Sequence, residues 1–138
     1  MLYRENALTP EEYMDLRASV GWRGPFGPGQ AEKALENSHT TAAYENGLAI
    51  AMGRITGDGL YWLITDVVVR PEYQGRGFGR RIIDRLTLYA ESCTPPGGRC
   101  SVYLISDNGK EEFYEKQGFK SLPNHAAGHG MRKVIHKA

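Results

Sequence analysis

The chain has 138 residues, 41% of them hydrophobic and 24% charged, with a formal net charge of +1. That length fits one domain able to bury a core without staples, and the near-neutral charge gives no electrostatic reason to expect nucleic acid or a membrane surface as partner. No apolar stretch reaches the length of a signal peptide or a membrane span, so the expectation is a cytoplasmic protein.

Thr9-Pro10-Glu11-Glu12 reads as a helix start, with a threonine cap, proline at the first helical position and Glu12 completing a capping box. That helix is expected to run to about Ser19. A glycine- and proline-rich loop from Gly21 to Gly29 follows, and then a shorter helix from Gln30 to Glu36. From His39 the pattern turns to strands. Thr40–Tyr44 and Leu48–Thr56 are joined by the hairpin signal Glu45-Asn46-Gly47, and Leu60–Val69 comes after Gly57-Asp58-Gly59. Pro71 ends the third strand, because proline cannot donate to a ladder.

A helix is expected from about Gly77 to Glu91, with Phe78, Ile82, Ile83, Leu86 and Ala90 on one face. Cys93 and Cys100 form no CxxC pair and read as reduced bystander thiols. Cys100–Ile105 reads as a strand and Lys110–Gln117 as a short helix, with Gly118 at its left-handed cap and Phe119 folding back. A last strand is expected over Met131–Ile135. Helices inserted singly among these strands give a mixed α/β sheet rather than a doubly wound parallel one.

The chemistry concentrates at Gln74-Gly75-Arg76-Gly77-Phe78-Gly79, where a strand and a proline turn deliver the chain to a helix start. Glycines at alternate positions let the backbone curl, so that successive N–H groups converge at the positive end of the helix dipole. Arg76, Arg80 and Arg81 add positive charge, and a pyrophosphate is the natural guest. Two known phosphate loops fail on residue identity. A Walker loop needs Gly-Lys-Ser/Thr where this chain has Gly79-Arg80-Arg81, and a Gly-x-Gly-x-x-Gly fingerprint would need glycine at Arg80 or Ile82.

The string from Thr65 to Gly79 closely resembles the acetyl-CoA signature of the GNAT acetyltransferase superfamily, Gln/Arg-x-x-Gly-x-Gly/Ala after a strand and a proline-containing turn. Phe113-Tyr114-Glu115-Lys116-Gln117-Gly118-Phe119 resembles that family's second motif, at a suitable distance downstream. The resemblance implies one domain over residues 1–138 with the GNAT α/β fold. Its central mixed sheet would be mostly antiparallel, with one splayed strand pair and flanking helices. It implies acetyl-CoA as co-substrate, with Gln74, Gly75, Arg76, Gly77, Phe78, Gly79 and Arg80 around the pyrophosphate and the backbone of Val67, Val68 and Val69 along the pantetheine arm.

By the same resemblance, Tyr114 stands near the cofactor's sulfur, to protonate the departing thiolate or at least hydrogen-bond to it; the alternative is a tyrosine of an amphipathic helix packed on the sheet. The asparagine that relatives place seven residues before this tyrosine falls on Asp107 here. Asn108 either takes over that cofactor contact or caps the helix. No base is evident: the acceptor-facing strand positions are Leu63 and Thr65, and Asp66, of opposite parity, is read as making a structural hydrogen bond. His39, His125 and His129 have suitable chemistry but no placement. The expected reaction is direct attack of a neutral primary amine through a tetrahedral intermediate, without a metal.

Trp22, Phe26 and Tyr61 are the candidate acceptor wall, with Trp22 alternatively anchoring its loop on the core. The favoured acceptor is a small molecule. The alternatives are a protein or peptide amine, or a catalytically weak acyl-CoA-binding regulatory domain. The resemblance also admits a homodimer.

Overall fold

The computed structural model describes residues Met1–Ala138, which divide into two compact units, Met1–Leu104 and Ile105–Ala138. In the first unit, β1 (Leu2–Glu5), α1 (Pro10–Ser19) and α2 (Gln30–Glu36) precede β2 (His39–Glu45), β3 (Leu48–Gly57) and β4 (Tyr61–Val69). A single turn of 3-10 helix (Pro71–Tyr73), α3 (Phe78–Ser92) and β5 (Ser101–Leu104) complete it. The strands lie in the order β1-β2-β3-β4-β5, antiparallel throughout except for the parallel β4–β5 pair.

Local chemistry starts the helices where expected. Glu12 N–H donates to Thr9 Oγ1 at 3.1 Å while Thr9 N–H donates to Glu12 Oε1 at 3.0 Å, so two donors of the α1 start satisfy each other reciprocally. On one sheet face Tyr13 and Leu16 of α1 pack with Ala42, Tyr44, Ala49, Met52 and Val68. The α3 residues Phe78, Ile82, Ile83, Leu86 and Ala90 are all buried. Burial of each isoleucine, leucine or phenylalanine among them contributes about 1.5–3 kcal/mol. Gly53 lets α3 close on β3, because a Cβ there would lie 2.6 Å from Ile82 and 2.9 Å from Leu86.

Two elements differ from expectation. β1 has no alternating pattern to announce it, and pairing makes it a strand, in the register Leu2↔Tyr44 to Glu5↔Thr41. Met131–Ile135 forms no strand: the run Met-Arg-Lys-Val-Ile does not alternate, no partner pairs with it, and Met131 and Ile135 are 93% and 80% exposed. The second unit contains one short helix, α4 (Glu111–Glu115). Gly118 closes it at φ 93°, with its N–H on the Glu115 carbonyl at 3.1 Å.

β4 carries an irregularity that matters for the site. Arg54 pairs with Thr65 and Met52 with Val68, so Asp66 and Val67 together face the single residue Gly53. This is a β-bulge, and Asp66 takes a left-handed conformation there, φ 56°.

Candidate functional site

The end of β4 and the start of α3 leave an unusual set of backbone groups unpaired. Gln74 N–H donates to the Pro71 carbonyl and Arg81 N–H to that of Gly77, at 3.3 and 3.2 Å. Between them, the N–H groups of Gly75, Arg76, Gly77, Phe78, Gly79 and Arg80 donate to no protein acceptor. α1 covers its start with a threonine, whereas α3 begins at Gly77 with no side-chain cap. Gly75 and Gly77 have φ 78° and 86°, and a Cβ on either would meet nothing within 4 Å. The result is an open concavity of free donors at the positive end of a 15-residue helix.

The flanks of this turn are braced. Arg70 donates through Nε to the Ala49 carbonyl at 2.8 Å and pairs through Nη2 with Asp15 at 2.6 Å. The Tyr73 hydroxyl donates to Glu45, which raises its pKa above the ordinary value. Gln74 turns its side chain inward, Nε2 to the Val69 carbonyl at 3.0 Å. Phe78 is buried against Tyr73, with ring centroids 6.2 Å apart, so only its backbone faces the turn. Arg76 lies 5.3 Å from the Tyr73 ring, and Arg80 is exposed beside Asp84.

β4 also has an open edge. β5 pairs with it only from Tyr61↔Ser101 to Ile64↔Leu104. Arg70 N–H points to β3, donating to the Ile50 carbonyl at 2.9 Å. Strand alternation then turns the Val68 backbone toward β3 and those of Val67 and Val69 toward the side that the β5 ladder no longer covers. Apart from the Val69 carbonyl, which Gln74 Nε2 occupies, this edge has no strand partner, and it runs directly into the glycine turn.

At the bulge, Asp66 is almost wholly buried and accepts from three side chains. The Tyr13 hydroxyl reaches Oδ2 at 2.6 Å, Arg54 Nε reaches Oδ2 at 2.8 Å, and Arg17 Nη1 bonds Oδ1. Asp66 therefore makes the structural hydrogen bonds expected of it, but the parity argument behind that expectation does not hold. The extra residue of the bulge swings its carboxylate onto the α1 side, the face that the cross-strand partner Arg54 assigns to Thr65. The Tyr13–Arg17–Arg54 set was not singled out from the sequence. Two signals were available: a lone carboxylate in an apolar strand needs donors, and Tyr13 and Arg17 stand one turn apart on α1.

The three proposed acceptor-wall residues do not form one patch. Trp22 is half-buried against the Tyr13–Leu16 cluster, which is the anchoring alternative. It joins Phe26 around Arg17, whose guanidinium lies 5.5 Å from the Trp22 ring and 4.9 Å from the 43%-exposed Phe26 ring. Tyr61 instead stacks on Tyr103 of β5, 6.2 Å between centroids. Leu63 is exposed and Thr65 half-buried. His39 stacks on Tyr89 at 3.7 Å in a groove at the far end of the sheet, and His125 and His129 are exposed in the second unit.

Within the second unit, Tyr114 is half-buried, its ring edge-on to Phe113 at 5.0 Å and Phe119 at 6.1 Å. Burial, and then the Asp107 carboxylate, push its hydroxyl above the usual 10.0, which keeps it protonated at neutral pH. Asn108 is exposed and makes no hydrogen bond, while Lys110 occupies the cap position of α4. The capping alternative for Asn108 is therefore excluded.

Residues 36–121 match the family described as the acetyltransferase (GNAT) domain. The chain is 32% identical over 98 residues to a histone acetyltransferase, TAP1, of Glycine max, covering 69% of this chain and 40% of that protein. It is 30% identical over 102 residues to serotonin N-acetyltransferase 2 of Oryza sativa subsp. japonica, covering 70% and 49%. The chain thus spans less than half the length of these curated relatives. A crystal structure from Meticillin-Resistant Staphylococcus aureus, described as a probable acetyltransferase, superimposes with a TM-score of 0.79 at 29% identity, covering 96% of this chain and 100% of that one. With the glycine turn, the half-open β4 and a family match over most of its length, the chain belongs to the GNAT acetyltransferase family.

Proposed function

We propose that this chain is an N-acetyltransferase that binds acetyl-CoA along the free edge of β4 and in the glycine turn, and transfers the acetyl group to the primary amine of a small molecule. The observation that carries the reading is the run of unpaired N–H groups from Gly75 to Arg80, continuous with the uncovered edge at Val67 and Val69. The donor set fits the guest. Free amides at a helix N-terminus suit a pyrophosphate, and an unpaired strand edge suits the amides of a pantetheine arm.

Acetyl-CoA supplies an acyl group activated as a thioester; the chain supplies the geometry. Gly75 to Arg80 hold the diphosphate, with Arg76 and Arg80 adding charge. Val67 and Val69 orient the arm through backbone groups. Tyr114, protonated at neutral pH, donates a proton to the departing sulfur. Neither Leu63 nor Thr65 is a base, and Asp66 is occupied by three donors. The amine therefore attacks in its neutral form and loses its proton to water.

The rice relative's serotonin supports a small arylalkylamine; the soybean relative's histone makes a protein lysine the competing acceptor. The test is incubation with acetyl-CoA and a panel of arylalkylamines, polyamines and lysine peptides, following free thiol. Thiol release with the small amines supports the proposal, and release with peptides alone replaces the acceptor. Acetyl-CoA binding without thiol release favours a regulatory domain, and no binding refutes the reading.

A further inference from the structure

The buried cluster at Asp66 stands where β4 changes from a paired to an open strand. The ladder to β5 stops at Ile64, and the bulge follows within two residues. Its extra residue decides which backbone groups face the open side: a one-residue slip of β4 against β3 would carry the Val67 and Val69 groups toward β3 and expose Val68 instead. The register at this point therefore determines what the edge offers a ligand.

At this point a buried carboxylate is gripped from two elements. Tyr13 and Arg17 approach from α1 and Arg54 from β3, and the Asp66 side chain is only 5% exposed. The left-handed backbone of Asp66 is one that aspartate and asparagine adopt more readily than other residues with side chains, which suits this residue to the bulge. The arginines carry two positive charges against one negative charge, so Asp66 is also the group that allows both guanidinium ions to share the space.

We propose that Asp66 is a positioning residue: through Tyr13, Arg17 and Arg54 it fixes the β4 bulge so that Val67 and Val69 present their backbone groups at the edge β5 leaves uncovered. It touches no reacting atom. The consequence for turnover rests on the acetyltransferase reading; the consequence for β4 itself does not.

Two variants separate the carboxylate from the backbone angle. Asp66→Gly accepts a positive φ without strain but abolishes the clamp, and Asp66→Asn keeps shape and left-handed tolerance but removes the charge. Each is compared with the natural protein by amide hydrogen exchange over Ile64–Arg70, with α3 as internal reference, and by acetyl-CoA kinetics. The proposal expects exchange in that segment to rise about tenfold or more in both variants with α3 unchanged. It also expects kcat to fall about 100-fold and KM for acetyl-CoA to rise by a smaller factor, since the arm loses its orienting edge while the glycine turn still holds the diphosphate.

Natural exchange and natural kcat in Asp66→Gly would overturn the proposal. So would a uniform rise in exchange along the whole chain, α3 included, which is the mark of a merely structural residue. If the natural protein turns over no amine, the acetyltransferase reading fails, and the exchange measurement alone decides whether Asp66 sets the bulge.

Discussion

The Tyr13 hydroxyl and the Asp66 carboxylate meet at 2.6 Å although 53 positions separate them in the chain, tying the middle of α1 to the bulge of β4. A hydrogen bond to a buried charged group is worth about 1.5–3 kcal/mol. Tyr13→Phe keeps the ring in the core and removes only this bond, so urea denaturation is expected to show a loss in that range.

The same pair sets an alkaline limit. Burial first, and hydrogen bonding to Asp66 next, hold the Tyr13 hydroxyl above its ordinary 10.0. A group whose pKa is raised by folding contributes its full share of stability below the unfolded value and loses it as pH climbs through the folded one. Stability is therefore expected to decline above about pH 10, and Tyr13→Phe is expected to flatten that decline. Denaturation midpoints measured across the alkaline range check both.

Glycine substitutions at two places are expected to separate binding from packing. At Gly77, φ 86°, an alanine side chain enters open space, and the left-handed backbone costs about 1–2 kcal/mol. Acetyl-CoA affinity is expected to fall with it, because the concavity of N–H groups shifts. At Gly53 the new methyl collides with Ile82 and Leu86, and overpacking costs about 1–3 kcal/mol while the glycine turn stays intact. Calorimetric titration beside thermal melts distinguishes the two variants.

Tyr114→Phe removes the proposed proton donor and leaves the ring against Phe113 and Phe119. Loss of a general acid lowers kcat by about 10²–10⁴-fold. KM for acetyl-CoA is expected to change little, and steady-state kinetics on the best amine of the panel checks the split.

The aromatic residues after α1 are expected to behave differently from each other. Trp22→Ala opens the Tyr13–Leu16 cluster and should cost about 1–3 kcal/mol. Phe26→Ala, at an exposed ring, should stay within about 0.5 kcal/mol of the natural protein and instead raise KM for an aromatic amine. Melting curves with acceptor kinetics test the pair.

The elements that local chemistry specifies were legible in the sequence. The capping box at Thr9, the hairpin at Asn46-Gly47, the α3 face from Phe78 to Ala90 and the turn from Gly75 to Gly79 each carry their instructions within a few residues. What was not legible depends on distant partners. β1 is a strand because Tyr44 and Thr41 lie beside it, and Met131–Ile135 is none because nothing does. The β4 bulge hid for the same reason: alternation alone assigns Asp66 to the wrong face, and the donors that meet its carboxylate stand far off in the chain, on α1 and β3. Trp22 and Phe26 meet at Arg17, a cation no spacing rule would have placed between them.

The central claim is that one continuous backbone surface, from Val67 through Arg80, receives acetyl-CoA. Amide chemical shifts of isotope-labelled protein, followed as acetyl-CoA is added, test it residue by residue. The largest changes are expected at Gly75 to Arg80 and at Val67 and Val69. Saturating acetyl-CoA that leaves those amides unmoved, or moves only the groove lined by His39, Trp62 and Tyr89, would contradict the account.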